Sequence, residues 1–131
     1  MSRQYMTNAI NTSPTRTGIA GADIDISGGK VVKFNENGEI VLCDTKGEKP
    51  IGIITIDNDA IIGKGDTVSY QIFGVGVAAI GEEVACGAEL TTGTNGKLVA
   101  AAANDFVCAV ALDNFSADSI GTVETVNYYK V

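Results

Sequence analysis

The sequence predicts an all-β fold: a compact β-barrel or sandwich built from two similar β units, preceded by an extended N-terminal arm. Three observations carry this expectation. The apolar residues make up 45% of the 131-residue chain and are mostly Val, Ile and Ala; there is no Trp, and only 6% of residues are aromatic. That composition suits pleated sheet better than long amphipathic helices. Sixteen glycines and two prolines cut the chain into short segments, as turn-forming residues do between strands. Apolar runs of strand length recur between those turns, and no helical period persists.

Residues 1–22 are rich in Ser, Thr, Asn and Gly, contain Pro14 and lack apolar periodicity, which predicts a flexible arm. Residues 23–131 are expected to form one β domain. There GGKVVKF passes through Asn35-Glu36-Asn37-Gly38 into EIVLC. Two β-rich runs joined by a short loop ending in Asn-Gly signal a hairpin. IGIITI is apolar on both faces, so it should be a central, buried strand. DNDAIIGKGD breaks the pattern. TVSYQIF then alternates Val68, Tyr70 and Ile72 against Thr67, Ser69 and Gln71, with one face turned to the core.

The second half repeats this order. Asn95-Gly96 precedes Lys97-Leu98-Val99 as Asn37-Gly38 precedes Glu39-Ile40-Val41, at a spacing of 58. FVCAVALDN answers PIGIITIDN at a spacing of 56, setting Val107 on Ile51, Val110 on Ile54 and Leu112 on Ile56. Gly121-Thr122-Val123 echoes Asp66-Thr67-Val68 at a spacing of 55. An internal repeat, about 29–74 and 87–131, is therefore expected, joined by GVGVAAIGEEVAC. Two units with apolar faces bury them by stacking or by closing into a barrel.

Catalysis is not expected. The chain has no histidine, which removes Ser-His and Cys-His nucleophile pairs and the commonest metal ligand. Asp23 with Asp25, and Asp57 with Asp59, could share a face, but the loop around Asn58 lacks the glycine and closing glutamate of an EF-hand. Turn formation explains these residues better. Gly63-Lys64-Gly65 and Gly74-Val75-Gly76 lead into strands, not helices, so neither is a phosphate loop. No cofactor or metal site is predicted.

Charge narrows the partners. An arm at +2, from Arg3 and Arg16 without an acid, and a body at −9 make up the net charge of −7. Nucleic acid needs a basic stripe, and the nine Lys and Arg are scattered; anionic membranes are disfavoured for the same reason. A faintly basic arm could instead dock on something acidic. Cys43, Cys86 and Cys108 match no metal or redox spacing and sit in apolar surroundings. They are expected to be reduced and buried, consistent with synthesis in a reducing cytoplasm. MSRQYMTNAINTS reads as no signal peptide. Tyr70, Phe73, Tyr128 and Tyr129 should fill core and cross-strand positions, with one of the tandem tyrosines exposed as an interface anchor. The candidate partner-contact residues are Arg3, Tyr5 and Arg16 on the arm, and Tyr129.

From about Gly28 to Val131, the strands IGIITIDN and FVCAVALDN, with KGDTVSYQIFGVGVAA and GAELTTGTNGKLVAAA, resemble bacteriophage capsid cement proteins, also called head decoration proteins. The resemblance implies a structural role on the outer surface of the virion. Such a protein binds the major capsid protein, often as a trimer, and stabilises the shell. It supplies no contact residue that can be placed on this chain. The alternative is a receptor- or carbohydrate-binding β module of a phage tail or cell surface, which needs exposed aromatics clustered on one face.

Overall fold

Val68 and Tyr70 point one way from their strand and are buried, while Thr67 and Ser69 point the other way and are exposed; this two-residue period runs through the molecule. The computed structural model describes residues 15–25, 29–54 and 61–131. Its first half contains β1 (Thr15–Ile19), β2 (Ile24–Asp25), β3 (Val31–Phe34), β4 (Ile40–Leu42), β5 (Gly52–Ile54), β6 (Ile61–Ile62) and β7 (Thr67–Gln71). Five of these form a sheet in the order β1-β7-β5-β3-β4, and β2 pairs with β6. The β3–β4 hairpin turns at Asn35-Glu36-Asn37-Gly38. There Asn35 Oδ1 accepts from the N–H groups of Asn37 and Glu39, both at 2.9 Å, and Gly38 takes a φ of +76° that side chains disfavour. The ends of the sheet meet: Ala20 bridges Ile40 in parallel, and the Gly21 N–H donates to the Ile40 carbonyl at 2.8 Å.

The second half contains β8 (Val75–Ile80), β9 (Glu89–Thr92), β10 (Leu98–Ala100), β11 (Phe106–Ala111) and β12 (Ser119–Tyr129). These close into a barrel in the order β10-β8-β12-β11-β9. Strand for strand the order is that of the first half, with β1, β3, β4, β5 and β7 answered by β8, β9, β10, β11 and β12. Closure also matches, because Leu98 pairs with Ile80 in parallel and the Gly81 N–H donates to Leu98 at 2.8 Å. The small β2–β6 ribbon has its counterpart in the bridge between Val84 and Phe115.

Ladder registers superpose the two interiors. Ala20, Val32, Ile40, Ile54 and Tyr70 fill the first; Ile80, Leu90, Leu98, Ala111 and Val123 occupy the matching positions of the second. Val68 is matched by Gly121, as its pairing with Gly18 is matched by that of Gly121 with Ala78. The registers also correct the sequence alignment. Val110 lies opposite Glu89 as Ile53 lies opposite Val31, so Val110 answers Ile53 rather than Ile54. Val123 answers Tyr70 rather than Val68. The sequence match aligns residue types, whereas pairing decides which residues share an interior face, and a slip of one residue moves a side chain to the opposite face.

The two halves share a core. Val31, Cys43 and Ile53 turn away from their own barrel and join Leu90, Leu98, Phe106 and Cys108 of the second. Central strand β5 is thus buried on both faces, Ile54 inward and Ile53 across the junction. Backbone hydrogen bonds fasten the seam, among them Gly96 to Cys43 at 2.7 Å, Gly47 to Thr92 at 3.0 Å and Ala79 to Gly29 at 2.9 Å.

Three sequence expectations need correction. The arm assigned to 1–22 overlaps the fold, because Thr15–Ile19 pairs along β7 and Ala20 is buried; residues 1–14 lie outside the described residues. The segment GVGVAAI, read as a joint, is β8, the first strand of the second barrel. Cys43 and Cys108 are buried but Cys86 is exposed. Its N–H is held by Asn114 Oδ1 at 2.8 Å, in a turn before Gly87, and neighbouring Val84 takes the core position.

Candidate docking cleft

A cleft of about 430 Å³ opens where the two barrels meet, between the β1, β3, β5 and β7 side and the β11–β12 side. Phe34, Ile51, Ile53, Tyr70, Phe73 and Phe106 give it an apolar lining. Phe34 and Phe73 stand half-exposed, so the surface is both concave and greasy, the form of a binding site. The sequence suggested neither this cleft nor the roles of Phe34, Phe106 and Lys49. Phe73, expected at a core or cross-strand position, is exposed because it lies just past the end of β7, in the linker between the barrels.

That linker is braced rather than loose. Gln71 Nε2 donates to the carbonyls of Phe73 at 3.0 Å and Val75 at 3.1 Å. The Gly74 N–H donates to Thr125 Oγ1 at 2.8 Å, and the Thr125 N–H donates to the Gly74 carbonyl at 2.9 Å. The opposite wall carries the β12 bulge. Val107 pairs with Tyr128 and Ala109 with Thr125, so Cys108 faces both Val126 and Asn127. All three line the cleft, where a bulge leaves backbone polar groups outside the regular ladder.

Arg16 and Lys49 line the same cleft. Arg16 stands opposite Tyr70 in the β1–β7 ladder. Lys49 holds its Nζ 5.5 Å from the Phe106 ring centre, within cation–π range. Its loop is fixed by Glu48, whose Oε2 accepts from the N–H groups of Asp44 and Thr45 at 2.9 and 2.7 Å. Lys33 bridges Glu48 and Asp44 at 3.0 Å each. The hydrogen bond to Glu48 raises the Lys33 pKa, and the one from Lys33 lowers that of Asp44.

Of the four candidate contact residues, Arg3 and Tyr5 lie outside the described residues. Arg16 is in the cleft, and Tyr129 lies behind one wall. Its exposed ring meets Phe106 edge-on, with centroids 5.1 Å apart and planes at 78°. Tyr128 is also exposed, contrary to the expectation that only one tyrosine would be. It leaves the sheet on the other side, where its hydroxyl donates to Glu89 Oε2 at 2.6 Å. That bond lowers the Glu89 pKa and raises that of Tyr128, and Lys130 reinforces the carboxylate from 3.2 Å.

The remaining polar groups read as structure. Asp23 Oδ1 accepts from the Lys64 N–H at 3.0 Å, a loop clip. Asp57 and Asp59 lie outside the described residues. Burial pushes the Cys43 and Cys108 thiols up to about 12, leaving them protonated and poorly nucleophilic at neutral pH. Separately, Val75 and Val77 on β8 and Ile120 on β12 make an exposed aliphatic stripe on one outward face.

The architecture defines the class: an all-β protein of two matched five-stranded units with a cleft between them. The chain matches no known family model and no curated protein. Among solved structures its fold is similar to that of the head fiber gp8.5 N base in bacteriophage phi29, with a TM-score of 0.61. The similarity spans 88% of this chain and 95% of that one at 16% sequence identity, and is a likeness of fold.

Proposed function

We propose that this protein is a non-catalytic structural component of a bacteriophage head, a decoration or cement protein that docks on the outer capsid surface and stabilises the shell. The observation that carries the reading is the fold likeness, over nearly the full length of both chains, to a phage head fiber base. The major capsid protein is the expected partner. Self-association, with a trimer as the expected form, draws support for the association alone from the stripe of Val75, Val77 and Ile120, since exposed aliphatic patches commonly mark association surfaces. An oligomer engages several capsid subunits at once, so modest contacts add up through avidity. A protein that binds the assembled lattice and not free subunits stabilises the lattice by mass action. The carbohydrate-binding alternative gains no support from Tyr128 and Tyr129, which leave the strand on opposite sides.

The test is co-sedimentation with purified heads of the encoding phage, followed by heating to the point of DNA release. Binding that saturates and raises the release temperature is expected. Heads that neither retain the protein nor gain heat resistance would reject the proposal.

A further inference from the structure

Five of the nine positive charges of this acidic protein are paired with its own carboxylates. Among the described residues, Lys30, Lys33, Lys46, Lys97 and Lys130 form ion pairs. Three cations form none with another described residue: Arg16, Lys49 and Lys64. Two of those three line the cleft. Both are exposed; Lys49 lies over the Phe106 ring, and Arg16 is the ladder partner of Tyr70, which also lines the cleft. A concave apolar surface carrying two unneutralised cations on a chain at −7 is complementary to one kind of ligand.

We infer that the cleft binds an extended peptide segment in which acidic and apolar side chains alternate. Alternation follows from strand geometry, because successive side chains of an extended chain point to opposite sides. Apolar side chains would enter between Phe34, Phe73 and Phe106, and carboxylates would meet Arg16 and Lys49 at the rim. The bulge at Val126 and Asn127 supplies the backbone groups against which an extended chain docks. The braced linker and the Glu48-capped loop hold both walls in place beforehand, which lowers the ordering cost of binding. The chain's own residues 1–14 fit poorly, as they contain Arg3 and no acid. The inference rests on the head-surface reading only for which protein carries the segment.

The experiment titrates the full chain with a blocked Glu-Phe-Glu-Leu-Glu peptide, and with its Gln-for-Glu analogue, followed by calorimetry and amide NMR shifts. The acidic peptide should bind about tenfold or more tightly than the neutral one, one well-formed charge contact being worth that factor. Shifts should centre on Arg16, Lys49, Phe106 and Val126. R16E and K49E should each weaken it about tenfold, and K49E should gain affinity for a peptide with Lys replacing Glu, a rescue that misfolding cannot mimic. Equal binding of both peptides, or shifts elsewhere, would overturn the inference. So would displacement of the acidic peptide by a synthetic peptide of residues 1–14, which would assign the cleft to the chain's own terminus. Peptide binding without head binding rejects the head-surface reading alone. Head binding by R16E and K49E at wild-type strength, with no peptide binding, rejects the cleft alone.

Discussion

Gly121 occupies the place that Val68 fills in the first barrel, and the missing side chain is replaced by a ring brought from elsewhere. A Cβ on Gly121 would lie 2.6 Å from Phe115 Cδ2, and Phe115 packs against the second core. In the first barrel the matching position, Ile62, is likewise packed against the core cluster that contains Val68. The two sites are therefore alternative solutions to one volume, and they should be coupled energetically. Gly121→Val alone should cost about 1–3 kcal/mol through overpacking, and Phe115→Ala about 2–4 kcal/mol through the cavity left. Combined, the two changes should cost less than their sum by about 1 kcal/mol, as expected of residues in contact. Urea denaturation of the three variants measures this, and strict additivity would show that the ring does not fill the glycine's space. The same pairing explains one limit of reading the sequence. Val68 aligns with Val123 as text, but its structural counterpart has no side chain.

Strand β1 shows a similar limit at the scale of an element. The core-facing positions at the end of β1 are Gly18 and Ala20, which carry little apolar signal, and Arg16 on the same side is exposed in the cleft. Gly18 has to be small, since a Cβ there would approach Ile40 Cγ1 to 2.8 Å. Strands that pass close to a neighbour use such residues, so the stretch resembles a linker in composition while pairing along all of β7. The hairpin at Asn35-Glu36-Asn37-Gly38, the buried IGIITI strand and the alternation of TVSYQ were legible, because turn chemistry and side-chain period are local signals. Strand β1 and the seam were not, because both depend on contacts remote in sequence. Truncation separates the two parts of the predicted arm. Removing residues 1–14 should leave the melting transition nearly unchanged. Removing residues 1–22 should strip β1 from β7, expose Ile40 and Val68, and cost about 5 kcal/mol or more, comparable with the whole stability of a small domain. A thermal melt unaffected by the longer deletion would show that β1 is dispensable.

For the molecule as a whole, the question is whether two barrels with matched strand order fold as two units or as one. Each interior is complete, which favours independence. The seam argues otherwise: Val31, Cys43 and Ile53 lie in the core of the second barrel rather than their own, so unfolding either half exposes apolar surface of the other. Burial of that kind stabilises by roughly 25 cal/mol per Å², and three buried side chains are enough to couple marginally stable units. The wild-type chain should therefore unfold in one calorimetric transition, with equal calorimetric and van't Hoff enthalpies. Gly96 is the place to break the coupling. It holds a φ of +72°, its N–H donates across the seam to Cys43, and a Cβ there would sit 2.9 Å from Lys30 Cβ and 3.0 Å from the Val31 carbonyl. Gly96→Val combines left-handed strain with a clash against the first barrel, at a cost of about 2–4 kcal/mol. That cost falls on the interface rather than on either interior, so the variant should unfold in two steps, or with a van't Hoff enthalpy well below the calorimetric one. Two transitions already present in the wild type would mean that the barrels are joined but not coupled. The walls of the cleft between them would then be free to move relative to each other.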